Sequence, residues 1–142
     1  MNAKNAAGVH WSFRVIGGVA LIWNGMGGIN FFAQMNADVV ASMPDAYREV
    51  IHGRPVWATA AFAVAVFGGT LGCVLLLLRK SAARRVFIAS LLGVMVTMAH
   101  ALGMTRSTID FRPVWTGTSM SLVVAVFLVW YSKYAGRRGW IR

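Results

Sequence analysis

Charged residues divide this chain into four long stretches that contain none. The charge-free stretches are 15–37, 55–78, 86–105 and 113–132, of 23, 24, 20 and 20 residues. A helix rises about 1.5 Å per residue, so about 20 apolar residues cross the hydrocarbon core of a bilayer. The pattern predicts an all-α membrane protein with four transmembrane helices, in which residues 1–142 form a single domain.

Other fold classes do not match these stretches. Residues 73–78 and 122–128 are apolar throughout, whereas the strands of a transmembrane β-barrel alternate apolar and polar side chains. A soluble helix bundle needs a continuous polar face on each helix, and none of the four stretches offers one. The longest connecting segment, 38–54, has only 17 residues. Asp45, Arg48 and Glu49 stand at helical spacing there and predict a short amphipathic surface helix.

Basic residues are distributed unevenly between the two sides of the predicted bundle. Ten of them lie with the two chain ends and the loop after the second stretch, and no acid accompanies them. The other side holds four basic residues and all four acids. Since cytoplasmic loops carry an excess of Lys and Arg, both termini are predicted to face the cytoplasm. The basic residues behind the net charge of +10 are therefore interpreted as topology signals and as partners for anionic lipid headgroups. Nucleic acid is not expected as a partner.

The sequence Arg-Pro-Val-Trp occurs twice, and each copy opens a charge-free stretch from the side that holds the acids. The copies run from Arg54 to Trp57 and from Arg112 to Trp115. One explanation of the repetition is that the chain contains two related helical hairpins. The other is that a helix that starts at a membrane surface favours these residues in any case. Both explanations remain open at this point. In either case Arg54, Trp57, Arg112 and Trp115 are predicted to be interface anchors.

Polar side chains within the predicted spans are the first candidates for function, because burying them in lipid is costly. Five stand out: Asn24, Asn30 and Gln34 in the first span, and Thr97 and His100 in the third. At about 100° per residue, those of each span fall on or beside one helix face. The two faces are therefore expected to turn towards each other or towards a partner chain.

Two interpretations of these polar residues stay open. In the first they are contacts between helices, each worth about 1 kcal/mol, with Gly27, Gly68 and Gly72 letting the backbones approach. In the second, the amides, hydroxyls and imidazole line a path or a site for a small polar solute such as a polyol or a sugar. The sequence alone does not decide between them.

Catalytic and metal-binding motifs do not occur in the sequence. It contains no nucleophile elbow, phosphate-binding glycine loop or acidic metal cluster. The single cysteine, Cys73, lies in the second span, and the eight Met residues form no Met-x-x-Met-x-x-Met run. Both residue types are interpreted as apolar packing. We therefore expect no enzyme activity, no catalytic residue, no cofactor and no metal site.

The second span and its flanks, residues 55–80, resemble a family of small four-helix bacterial inner-membrane proteins. The likeness extends to Leu21-Ile22-Trp23-Asn24 with Gly27, to 129–132 and to 138–140, and so covers most of the chain at similar spacing. The positions that carry it are Trp23, Asn24, Gly27, Gly68, Gly69 and Gly72. Members of that family are often labelled sugar transporters. The resemblance implies four transmembrane helices, a multi-pass location in the bacterial inner membrane and a transport function, and it carries over no catalytic residue.

Two functions from different classes follow as expectations. The first is transport or binding of a small polar, sugar-like solute at a site lined by spans one and three. Since four short helices rarely enclose a pathway alone, this function requires a homo-oligomer or a larger assembly. The second is a non-catalytic accessory or scaffold subunit that docks on a larger membrane protein complex.

Overall fold

The structure, a computed structural model, describes residues 9–104 and 110–142. That part of the chain contains helices and no strand. The helices are α1 (Trp11–Ala33), α2 (Ala37–Ala41), α3 (Asp45–His52), α4 (Val56–Leu77), α5 (Ala82–Gly103) and α6 (Arg112–Arg137). Four of them, α1, α4, α5 and α6, are long and apolar enough to cross a membrane. The predicted all-α fold with four candidate transmembrane helices is confirmed.

The long helices do not begin and end where the charge-free stretches do. α6 continues to Arg137, past Lys133, and the first turn of α5 contains Arg84. A charged residue marks where a helix leaves the hydrocarbon. The helix itself continues beyond that point, because long basic side chains reach the headgroups. Pro55 immediately precedes α4 and Pro113 lies in the first turn of α6, where the missing N–H is not needed.

Consecutive long helices pack in sequence: α1 on α4, α4 on α5, and α5 on α6. Because α4 stands between α1 and α5, the direct contact expected between the polar faces of the first and third spans is not made along these helices. The cause is a glycine-rich surface on α4. Gly69 accommodates the amide of Asn24 from α1, and Gly68 accommodates Ser90 from α5. Side chains at those positions would hold the neighbouring helices apart.

One end of the bundle is closed by aromatic and aliphatic side chains, and we call it the basic end because most Lys and Arg residues flank it. Phe13 of α1 is fully buried there, and its ring centroid lies 6.3 Å from that of Tyr131 and 5.8 Å from that of Trp140. The chain end is tied to the α4–α5 loop by backbone hydrogen bonds. The Ser81 N–H donates to the Arg142 carbonyl at 2.7 Å, and the Arg142 N–H donates to the Arg79 carbonyl at 2.8 Å.

The opposite end, called the α3 end, is partly covered by the short helix that the sequence predicted in 38–54. Val50 and Ala46 of α3 pack against the apolar side chains of Ala101 and Val114. The Tyr47 hydroxyl donates a hydrogen bond to the Pro113 carbonyl at 3.0 Å. α3 is thereby attached to the start of α6.

Large apolar side chains cover the outside of the bundle. On α1 they include Trp11, Val19, Ile22, Met26 and Ile29, all more than 60% exposed. An exposed apolar surface of this extent is unfavourable in water and is matched by lipid chains. The fold is that of a multi-pass membrane protein.

Candidate functional site

A cleft opens between the four long helices. α1 and α6 meet at the basic end through Phe13 and Tyr131, but within the described residues they do not pack on each other along their length as the consecutive pairs do. The space between them belongs to a cleft of about 300 Å³ that runs from the α3 end to Phe87 and Leu128. Clefts that bind small molecules have volumes from about 300 Å³ upwards.

The two ends of this cleft differ in polarity. Gln34, Tyr47 and Arg54 line it at the α3 end, while Phe87 and Leu128 form its floor towards the basic end. Between them lie both apolar walls and hydroxyl or amide groups. The other polar lining residues are Asn24, Asn30, Ser90, Thr97, Thr118 and Ser121. The arrangement suits a ligand with a polar head and a less polar body.

Four of the five predicted polar residues line the cleft, and the fifth does not. Asn24, Asn30, Gln34 and Thr97 are lining residues. His100 lies outside the cleft lining, where its Nε2 is 3.3 Å from the Gly53 carbonyl oxygen and its ring centroid is 5.9 Å from that of Trp57. The imidazole contacts the segment between α3 and α4.

Asn24 and Asn30 differ in what their amides contact. The Asn24 side chain donates to the Ala20 carbonyl at 2.8 Å and approaches the Cys73 sulfur at 3.8 Å. Asn24 therefore joins α1 to α4, as the helix-contact interpretation predicts. The side-chain amide of Asn30 is exposed and makes no hydrogen bond to another described residue, so its donor and acceptor remain available.

The threonine hydroxyls of the cleft and that of Ser121 donate within their own helices, whereas the Ser90 hydroxyl of α5 donates to the Ala65 carbonyl of α4. Thr97 donates to the Gly93 carbonyl at 2.8 Å, and Ser121 donates to the Gly117 carbonyl at 3.0 Å. Each oxygen keeps acceptor capacity towards the cleft. At two of the predicted packing glycines an added Cβ atom would contact a neighbouring helix: Val66 of α4 at Gly27, and Phe87 of α5 at Gly72.

Arg54 occupies the cleft at the α3 end. Its Nη1 donates to the Gln34 side-chain oxygen at 2.8 Å, and its guanidinium carbon lies 4.9 Å from the centre of the Phe62 ring. Burial lowers the pKa of Arg54 from its usual value, but a guanidinium remains protonated in proteins. No carboxylate of a described residue lies within ion-pair distance of it.

The second Arg-Pro-Val-Trp copy is placed differently. The Arg112 side chain is 92% exposed and lies 3.7 Å from the Asp110 carboxylate. Trp57 is exposed on the outside, whereas Trp115 is half-buried against the cluster of Val50 and Val114. Identical local sequences therefore present one arginine to the cleft and the other to the surroundings.

Sequence reasoning did not find three cleft positions on other elements: Tyr47 on α3, and Thr118 and Ser121 on α6. The signal for α6 is present, since Gly117, Ser121 and Ala125 recur every four residues and form a small-residue face. No local pattern indicates that Arg54 lies in the cleft. Arg54 and Arg112 begin identical Arg-Pro-Val-Trp sequences, and only the tertiary packing makes their surroundings differ.

The described residues contain no group of three or more His, Cys, Asp or Glu that is placed to hold a metal ion. Comparison with protein-family models, with curated proteins and with solved structures finds no match to this chain.

Proposed function

We propose that this chain is a multi-pass protein of the bacterial inner membrane that binds a small solute in the cleft between its helices, without a catalytic centre of its own. The observation that carries the proposal is the cleft itself, with its polar groups at the α3 end and its apolar floor. Asn30 supports it, because an amide without a partner is costly in lipid unless something else satisfies it.

Transport is the form of this function that the family resemblance supports. The cleft ends at the side chains of Phe87 and Leu128, and Phe13 and Tyr131 fill the bundle beyond them. Passage through the membrane therefore requires this aromatic closure to open. We infer that the aromatic closure opens in a homo-oligomer whose basic end contacts anionic lipid headgroups.

The open side between α1 and α6 favours a second candidate. A helix of a larger membrane complex, seated in that gap, would satisfy Asn30 and make this chain an accessory subunit. Purification in mild detergent distinguishes the two. An accessory subunit is expected to co-purify with a partner at a fixed ratio, whereas a solute-binding protein is expected to be isolated as copies of itself.

Equilibrium dialysis against protein in phosphatidylcholine nanodiscs tests the solute-binding proposal. Three six-carbon probes cover the chemistry of the cleft: glucose, hexanamide and hexanoate. At least one is expected to bind with one site per chain, beyond its uptake by nanodiscs without protein. If none of the three binds above that background, the proposed function is wrong.

The proposed topology predicts that the basic end and the α3 end lie on opposite sides of the membrane, with the basic end in the cytoplasm. Ser81 and Asp45 are both exposed and mark the two ends. In a Cys73→Ala background, Ser81→Cys is expected to react with an impermeant maleimide only in inside-out vesicles, and Asp45→Cys only in right-side-out vesicles. Labelling of both positions from one face would contradict the topology.

A further inference from the structure

We propose that the cleft binds an anionic amphiphile, with a carboxylate or phosphate group at Arg54 and an apolar body extending towards Phe87 and Leu128. This inference rests on the proposed function and names the class of its ligand. It differs from the sugar-like solute that the sequence suggested, because the structure brings a cation into the site.

The contacts of Arg54 leave its guanidinium ready to bind an anion. A guanidinium carries five N–H donors, and the contacts within the described residues are one hydrogen bond to Gln34 and the face of Phe62. Four of the five donors therefore have no hydrogen-bond partner among the described residues. The hydrogen bond to Gln34 restrains the group, and a guanidinium with free donors can make paired hydrogen bonds with a carboxylate or a phosphate.

The acidic residues of the chain do not neutralise this arginine. Asp45 pairs with Arg48, and Asp110 pairs with Arg112. The remaining two acids, Asp38 and Glu49, form no ion pair with Arg54. A half-buried charge without a counter-charge is unfavourable. An anionic ligand removes that cost, and a neutral ligand does not.

The rest of the cleft selects for an apolar body. Trp23, Val66 and Val94 contribute to its walls, and Phe87 and Leu128 to its floor. A polyol finds partners at the amides and hydroxyls of the lining but not at these apolar surfaces, whereas an alkyl or aryl group would replace water there. The gap between α1 and α6 admits such a ligand either from the aqueous side or from the lipid.

Hexanoate and hexanamide test the charge selectivity, because they share a chain length and differ in the charge of the head. Wild-type protein in phosphatidylcholine nanodiscs is expected to bind hexanoate at least about tenfold more tightly than hexanamide, the scale of one charge-assisted hydrogen bond. Arg54→Gln is expected to remove this preference. Arg112→Gln, which changes the exposed arginine of the second Arg-Pro-Val-Trp copy, is expected to keep it.

The outcomes separate this inference from the proposed function. If hexanamide or glucose binds as tightly as hexanoate, the inference is overturned and the cleft keeps its function. If Arg112→Gln loses the preference as Arg54→Gln does, the assignment to Arg54 is overturned. The selectivity of the wild-type protein is measured without any variant. If Arg54→Gln fails to fold, Arg54→Lys takes its place: it keeps the charge and is expected to retain part of the preference for hexanoate.

A second arm identifies the source of the anion. In nanodiscs that contain phosphatidylglycerol, competition with hexanoate in wild-type protein would show that the anion is a lipid headgroup, and native mass spectrometry is then expected to find the lipid retained by Arg112→Gln but not by Arg54→Gln. Undiminished hexanoate binding would show a soluble carboxylate or phosphate. Either result supports the anionic class. Equal retention of the lipid by both variants, together with equal binding of hexanoate and hexanamide, would overturn it.

Discussion

Gly93→Ala is expected to destabilise the folded bundle by about 1–3 kcal/mol, the range for overpacking a close contact. A Cβ atom at Gly93 would lie 2.7 Å from the Ala61 carbonyl oxygen and 2.8 Å from the Ala65 nitrogen. Both are backbone atoms of α4, which cannot rotate away as a side chain can. α5 must therefore move from α4, and the 2.6 Å hydrogen bond from the Ser90 hydroxyl to the Ala65 carbonyl is lost with it.

Gly25→Ala is the matched control for this experiment. Gly25 lies within α1, and a Cβ atom there meets no atom within 4 Å. Since alanine favours a helix interior by about 1 kcal/mol over glycine, this variant is expected to be neutral or stabilised. Unfolding in mixed micelles with increasing denaturing detergent compares the two. Equal midpoints for Gly93→Ala and Gly25→Ala would contradict the close α4–α5 contact.

Ser121→Phe is expected to weaken the binding of hexanoate at least about tenfold while the protein stays folded. Ser121 is half-buried and lines the cleft, so a phenyl group there points into the space that the ligand needs. A cavity of about 150 Å³ is enough to hold benzene, and the cleft has a volume of about 300 Å³. One ring therefore takes about half of the cleft, so that an apolar chain can no longer extend freely from Arg54 to the floor.

Ser119→Phe provides the same change outside the cleft. Ser119 is exposed, two residues away on the same helix, and is not a lining residue. Its variant is expected to bind hexanoate as the wild type does, measured by the same dialysis. Loss of binding in both variants would indicate damage to α6 as a whole, and unchanged binding in Ser121→Phe would place the ligand elsewhere.

The four long helices were predictable because each one is determined by its own residues. A stretch without charge that is long enough to cross hydrocarbon must satisfy its backbone hydrogen bonds internally, and a helix does so. The amphipathic segment that became α3 was predictable for the same reason. Its polar spacing is local, and Asp45 stands at its first position.

The cleft was not predictable, because it depends on which helices become neighbours. Asn30, Gln34 and Thr97 were found as polar residues in apolar stretches, but the two helix faces that carry them were expected to turn towards each other or towards a partner chain. Instead, α1 and α5 both pack on α4, because Gly68 and Gly69 allow them to approach it closely. Arg54 shows the limit most clearly, since the same four residues at Arg112 lead to an exposed side chain.

The aromatic contact of Phe13 with Tyr131 and Trp140 gives the bundle a mechanical property. Within the described residues it joins α1 and α6 at one end only, and it would be the pivot of any rotation of α1 on α4. α1 has 23 residues and is about 34 Å long, so a rotation of about 5° at the pivot moves its far end by about 3 Å. Such a rotation would carry Gln34, which follows α1, away from Arg54, so the width of the mouth and the hydrogen bond that restrains the guanidinium change together.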